Sequence, residues 1–140
     1  MANAPKRYDA KDCTILVNGV YITGLGEDMV TGEKDEELYS TSVGAQGDVC
    51  INTTNDPIGT VTVTIQPTSP QKKFLMDLAN KKDPFPLWVV NKALGERFGG
   101  SSALLKSFPE ISRSAEAEDM EFEFGVFDYT VEAIGDIKKA

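Results

Sequence analysis

The sequence predicts a mainly β (α+β) domain, an antiparallel β-sandwich or barrel with one flanking α-helix, and three observations predict it. Gly59-Thr60-Val61-Thr62-Val63-Thr64-Ile65-Gln66 alternates strictly between polar and apolar, as a half-buried strand does. Asn18-Gly19 separates two short strand-like runs, and only one segment spaces its apolar residues like a helix. Many short strands without a βα rhythm build antiparallel layers around one core. At 140 residues the chain is expected to be one domain over 1–140, burying roughly 70% of the surface that its unfolded form exposes.

Along the chain, a polar N-terminal arm over residues 1–11 leads into residues 13–24, two strands joined by the Asn18-Gly19 turn. Residues 27–37 are acidic, punctuated by glycine and without a periodic apolar face, so they are expected to form a projecting loop. Strand composition resumes over residues 38–43. A strand over residues 48–54 follows, and Asn55-Asp56-Pro57 supplies a turn that would pair it with the threonine-valine strand as a hairpin. Ser69 suits a helix N-cap with Pro70 at the first helical position. Phe74, Leu75, Leu78 and Ala79 then share a face until Lys81-Lys82-Asp83-Pro84 stops the helix. Residues 85–91 read as a strand, residues 95–100 as turn-rich, and residues 102–108 as either strand or loop. Over residues 118–137, Met120, Phe122, Phe124 and Val126 alternate with acidic residues, and Phe127, Tyr129, Val131 and Ala133 continue out of phase. A bulge or bend at Gly125 would explain the shift.

Composition narrows the function. The net charge is −8 and histidine is absent. No basic stripe is available for a phosphate backbone, and histidine-based triads and zinc sites are excluded. No apolar run approaches the length of a membrane span, and the first seven residues lack the apolar core of a secretory signal, so synthesis and folding are expected in the cytoplasm.

The candidate constellations read as surface and core. Glu27, Asp28, Glu33, Asp35, Glu36 and Glu37 do not follow EF-hand spacing, so a solvated loop is expected and no metal. Glu121 and Glu123 sit two apart on one strand face, without the partner across a cleft that a small glycosidase needs. Neither Gly24-Leu25-Gly26 nor residues 95–100 form a phosphate-binding loop, and no cofactor is expected. Trp88 and the other aromatic residues fall at apolar strand positions and are assigned to the core. The alternative is a carbohydrate-binding module with the wet face and Trp88 as its contact surface. Cys13 and Cys50 are ordinarily free and buried in a chain made in the cytoplasm. Cys50, however, shares the polar side of its strand with Asp48, Asn52 and Thr54, which leaves a disulfide between subunits as the other reading.

Taken in order, several segments resemble the tail tube proteins of contractile-tailed bacteriophages, a group related to the tubes of type VI secretion and of bacteriocins. They are Tyr8-Asp9 with residues 12–24, Gly44-Ala45-Gln46-Gly47-Asp48, residues 59–70, and Pro86-Leu87-Trp88-Val89-Val90. The resemblance spans nearly the whole chain and implies a non-enzymatic structural virion protein with two packed sheets and a flanking helix. Six copies would form a ring, and rings would stack into a hollow tube inside a contractile sheath, in a virion tail assembled in the host cytoplasm. The implied partners are further copies of the chain, the sheath protein, and baseplate and tail terminator proteins. The lumen would hold a tape measure protein and then DNA without specific binding, and no membrane is involved. A bacteriocin or secretion tube would keep the same fold.

In such rings, strands of neighbouring subunits join edge to edge into one inner barrel, which removes exposed sheet edges. If the hairpin over residues 48–54 and 60–66 lines the channel, its lumen-facing residues are Asp48, Cys50, Asn52, Thr54, Thr60, Thr62, Thr64 and Gln66. Six copies at −8 each give the ring about −48 charges, which repels phosphates and lets a genome slide. The acidic loop and the N-terminal arm would contact neighbouring subunits. Cysteines at positions 13 and 50 are not something the family pattern requires.

Overall fold

Asn18 and Gly19 take φ of 51° and 80° and turn the chain between strands β1 (Cys13–Val17) and β2 (Val20–Tyr21). Two successive positive φ values are what a type I′ hairpin turn requires, and Asn-Gly adopts them at least steric cost. The computed structural model describes residue 5 and residues 8–133. The remaining strands are β3 (Leu25–Lys34), β4 (Tyr39–Val43), β5 (Val49–Thr53), β6 (Gly59–Ile65), β7 (Phe85–Asn91), β8 (Glu96–Leu105), β9 (Met120–Val126) and β10 (Thr130–Ala133). One helix, α1 (Lys72–Asn80), lies between β6 and β7. The expected mainly β fold with a flanking helix is what forms.

Eight strands make one antiparallel sheet in the order β2-β1-β7-β8-β9-β6-β3, with β10 added beside β8. The sheet curls on itself, because Gly32 of β3 leaves no more than 2.6 Å between a would-be Cβ and the ring of Phe98 on β8. Gly59 likewise packs its backbone against Tyr129. A single curled sheet therefore replaces two separate ones, and its halves face each other over one core. Ile15, Val17, Leu87 and Val89 come from one half, and Val61, Val63, Ile65, Phe122 and Phe124 from the other. The alternation read in residues 59–66 is the cause: Val61, Val63 and Ile65 are fully buried.

Five expectations are corrected. Most of the acidic stretch at residues 27–37 is not a loop but lies in the edge strand β3, hydrogen-bonded to β6 from Val30↔Val63 to Lys34↔Gly59. A register shift between Leu25 and Val30 breaks the period of two, which hid the strand in the sequence. The strand over residues 48–54 does not pair with β6. Both edges of β6 are occupied, by β3 and by β9, so β5 folds back on β4 from Val43↔Val49 to Tyr39↔Thr53. This β4–β5 hairpin is the element that projects.

The glycine-rich stretch at 95–100 is mostly strand. Only Gly95 turns the chain, at φ 69°, whereas Gly99 sits inside β8 at φ 134° with its α-carbon against the Leu87 carbonyl. The β7–β8 register shifts beside it, between Phe85 and Leu87, which a residue without a Cβ accommodates. Finally, β9 pairs regularly through Gly125, and the chain reverses at Phe127 and Asp128 instead. The out-of-phase run is thus a separate strand, β10, paired with β8; residues 134–137 lie outside the described residues. So do residues 1–4, 6 and 7 of the N-terminal arm.

The helix starts at Lys72, later than Ser69 suggests, because Ser69 serves the β2–β3 connection. Its Oγ donates to the Thr23 carbonyl at 2.6 Å, and the Gln71 side chain accepts from the Thr23 backbone N–H and hydroxyl at 2.8 and 2.7 Å. Leu75 and Leu78 are buried in the core, with Phe74 and Ala79 half-buried beside them.

Candidate assembly surfaces

The outward face of β3, β6 and β9 is polar and acidic. Register places Thr31, Thr62 and Glu123 in one row, and Glu33, Thr60 and Gly125 in the next. Thr64 lies opposite Glu121. Thr60 and Thr62 are half-exposed as expected. Thr64, expected on the wet side, is only 6% exposed because it packs against the Gly26 backbone at the sheet margin. Gln66, just beyond the strand, is exposed. The Thr60 hydroxyl donates to Asp35 Oδ1 and accepts from Lys106 Nζ, both at 2.8 Å. An open groove of about 600 Å³ runs over this face, and its lining includes Glu110, Glu118, Asp119, Glu121 and Glu123 without a single lysine or arginine. Glu121 and Glu123 are therefore part of a broad acidic surface. Their alternation with Phe122 and Phe124 was the signal that placed them there.

The outward face of the other half has different chemistry. Tyr21, Leu16 and Trp88 form a row across β2, β1 and β7, and Thr14, Val90 and Arg97 form a second across β1, β7 and β8. Trp88, assigned to the core by its sequence position, is half-exposed here instead, and Tyr21 is 63% exposed. The neighbours decide this: Leu87 and Val89 fill the inner side, and Trp88 falls on the other face. The Arg97 guanidinium lies over the Trp88 ring, 4.2 Å from its centroid, and reaches Glu132 at 3.6 Å. Phe85, Phe122, Phe124 and Tyr129 do fill the core.

The β4–β5 hairpin is a two-stranded sheet of its own, and every residue of both strands is exposed. Cross-strand pairs put Tyr39, Thr41, Val43, Val49, Ile51 and Thr53 on one face and Ser40, Ser42, Cys50 and Asn52 on the other. Asp48 stands at the tip and Thr54 at the base, so the residues proposed with β6 as one channel wall belong to two separate sheets. Of the acidic set, Glu27, Asp28 and Glu33 lie along β3, and Asp35, Glu36 and Glu37 lie at the base of the hairpin.

Both cysteines are free. Cys13 is half-buried, and burial, with Glu96 adding to it, pushes its thiol above the usual cysteine range. Cys50 is exposed on the polar face of the hairpin, its Sγ 3.7 Å from Asn52 Oδ1. Among the described residues no group of three histidines, cysteines or carboxylates could hold a metal ion, and no helix is long and apolar enough to cross a membrane.

The described residues thus present a curled sheet with one acidic face, one aromatic face and an open β3 edge, beside an exposed apolar ribbon, features that mark interaction surfaces. Residues 13–91 match the family model of the bacteriophage PhiTE tail tube protein, and the chain belongs to that family. Solved structures share its fold over nearly the full length. In a sheath-tube complex of an extracellular contractile injection system in the extended state, one chain aligns with a TM-score of 0.63 at 12% identity, covering 91% of this chain and 93% of that one. The sheath/tube terminator of the same type of system gives 0.61 at 12%, covering 94% and 100%. The tube-terminating cap of the anti-feeding prophage gives 0.62 at 9%, covering 95% and 94%. No curated protein matches the chain.

Proposed function

We propose that this tail tube protein forms six-membered rings that stack into a hollow tube inside a contractile sheath, with the acidic β3-β6-β9 face lining the channel. The observation that carries the reading is the groove over that face, with five carboxylates and no basic side chain in its lining. Thr60 and Thr62 keep the lumen position, joined by Thr31, Glu33, Glu121 and Glu123, with Thr64 and Gln66 at the margin. Asp48, Asn52 and Thr54 move with the hairpin, away from that wall. Hydroxyls and carboxylates of this density repel phosphates and offer them no donor cluster, so DNA passes unretained.

The open edge of β3 accepts a strand from the next subunit, which extends the wall around the ring and satisfies the free backbone groups. Glu27, Asp28 and Glu33 on that edge, and Asp35, Glu36 and Glu37 beside it, then lie at subunit boundaries. A disulfide from Cys13 to Cys50 of another copy would have to draw on a half-buried thiol, whose raised pKa disfavours the reactive thiolate. The sheath wraps the outside, terminator and baseplate proteins close the ends, and a tape measure protein precedes DNA in the lumen. The same tube without a genome serves a bacteriocin or secretion system.

Cryo-electron microscopy of the purified chain tests this. Hollow tubes or six-fold rings with Glu121 and Glu123 toward the axis are expected. A chain that stays single, or rings whose acidic groove faces outward, would overturn it.

A further inference from the structure

We infer that the β4–β5 hairpin of one copy lies, apolar face down, on the Tyr21–Leu16–Trp88–Val90 face of the next copy, supplying a second sheet layer in trans. The inference rests on the tube reading above and specifies one of its interfaces. It starts from a shortage inside the monomer: a lone two-stranded ribbon is marginal in water, yet Val43, Val49 and Ile51 are 67%, 62% and 68% exposed on one face of this one. Among the described residues nothing covers them.

The receptor must be flat, apolar and not acidic. Between Asp35 and Asp56 the chain holds five carboxylates, Asp35, Glu36, Glu37, Asp48 and Asp56, and no lysine or arginine. Phe108 and Ile111 are also exposed, but they border the acidic groove, where those carboxylates meet their own sign. Helix α1 carries Lys72 and Lys73 but curves away as a cylinder, with no flat floor for a ribbon. The aromatic face meets both conditions. Lys11 and Lys92 stand at its margin, in the shallow depression lined by Leu16, Tyr21 and Val90, and Arg97 lies across Trp88. Asp12 and Glu132 share that margin, with Glu132 engaged by Arg97.

The dimensions agree. Five residues per strand give the ribbon about 16 Å of length, and the four strands β2, β1, β7 and β8 give a floor about 14 Å across at the usual ~4.8 Å spacing. Two layers so packed form the sandwich that the isolated subunit lacks. The contact is heterologous, since ribbon and floor are different surfaces, and such contacts propagate into closed rings or continuous stacks.

The chain has a single tryptophan, Trp88, and it sits in the floor, so docking reports itself. The test follows Trp88 emission and light scattering of the full-length chain as its concentration rises. Wild type should shift its emission to the blue as particles form. Ile51→Glu in the ribbon and Tyr21→Glu in the floor, both at exposed positions and so compatible with folding, should each raise the assembly threshold about tenfold or more and leave Trp88 in water. Tyr21→Glu assembling like wild type, or bare wild-type tubes whose Trp88 is still open to a soluble quencher, overturns the docking while the tube stands. The second of those results would give the aromatic face to the sheath instead. A wild-type chain that never assembles overturns the tube reading and the docking together.

Discussion

The curled sheet and the β4–β5 hairpin use the same β-branched residues to opposite ends. Val61, Val63 and Ile65 in β6 are fully buried, whereas Val49 and Ile51 in β5 are exposed to more than three fifths of their surface. The difference is connectivity, not composition. β6 has a strand on each side and an opposing half-sheet above it, while β5 has, among the described residues, one neighbouring strand and nothing over either face. The body therefore carries the stability of the subunit, and the hairpin leaves its apolar surface open. Apolar ribbons exposed in this way are tolerated only where a partner covers them.

The sharpest way to break that contrast is to remove core volume. Phe124 is fully buried, meets Phe85 edge to face with centroids 5.9 Å apart, and pairs with Val61 across the sheet. Phe124→Ala should destabilise the monomer by about 3–5 kcal/mol, enough to unfold much of a marginal domain. The same truncation at Ile51 should change monomer stability by less than about 0.5 kcal/mol, since it leaves no cavity. Denaturant titration of the two variants checks both values, and comparable losses would mean that the hairpin belongs to the cooperative body.

This contrast also explains how much the chain disclosed before folding. Val61, Val63 and Ile65, Phe122 and Phe124, and the Asn18-Gly19 turn were legible because period and turn chemistry are local. The hairpin partner was not. Nothing near residues 48–54 says that β6 is already claimed on both sides, by a strand some thirty residues upstream and another some sixty downstream. Acidic composition disguised β3 as a loop, since an edge strand can be charged on its open side and its register slip spoils the alternation. Trp88 illustrates the limit on the site. Alternation shows that it opposes Leu87 and Val89, but not which of the two faces is inside when every residue of the run is apolar. Thr60 and Thr62 face outward along β6 as their alternation predicts, whereas Thr64 is buried at the margin. Alternation put Glu121 and Glu123 on the outer side of β9, and only the β6–β9 register set them beside the threonines.

A smaller effect separates the body's polar staples from the hairpin. Asp128 ties the β9–β10 reversal to β8, accepting from the Ser101 N–H at 3.0 Å, the Ser102 N–H at 3.1 Å and the Ser101 hydroxyl. The Ser101 side-chain bond first, and the backbone bonds after it, hold its carboxyl below the usual range against a modest opposing effect of burial. A carboxyl lowered on folding contributes stability above its unfolded pKa, near 4, and that contribution is lost as the pH falls through the folded value. Asp128→Ala should cost about 1 kcal/mol at neutral pH, its exposure to solvent having been allowed for. It should also flatten the acid limb of the stability profile below about pH 4. An unchanged acid limb would show that these bonds do not distinguish folded from unfolded chain.

The mildest probe leaves stability untouched and compares the two regions through their own thiols. Cys50 is exposed on the hairpin, while Cys13 is half-buried at the start of β1 with its thiol pushed up by burial and Glu96. At pH 7.5 a maleimide should label Cys50 about tenfold or more faster than Cys13, because burial both shields the Cys13 thiol and disfavours its thiolate. In assembled particles Cys50 distinguishes two ways of covering the ribbon. Its side chain shares the polar face with Ser40, Ser42 and Asn52, opposite the face of Val49 and Ile51. If only the apolar face is seated on a neighbour, Cys50 keeps its rate while the hairpin amides gain protection from hydrogen exchange. If the ribbon is instead enclosed on both sides, the thiol and the amides fall silent together. Persistence of fast labelling in intact tubes would thus assign the hairpin a single contact face, leaving its serine and cysteine side to water.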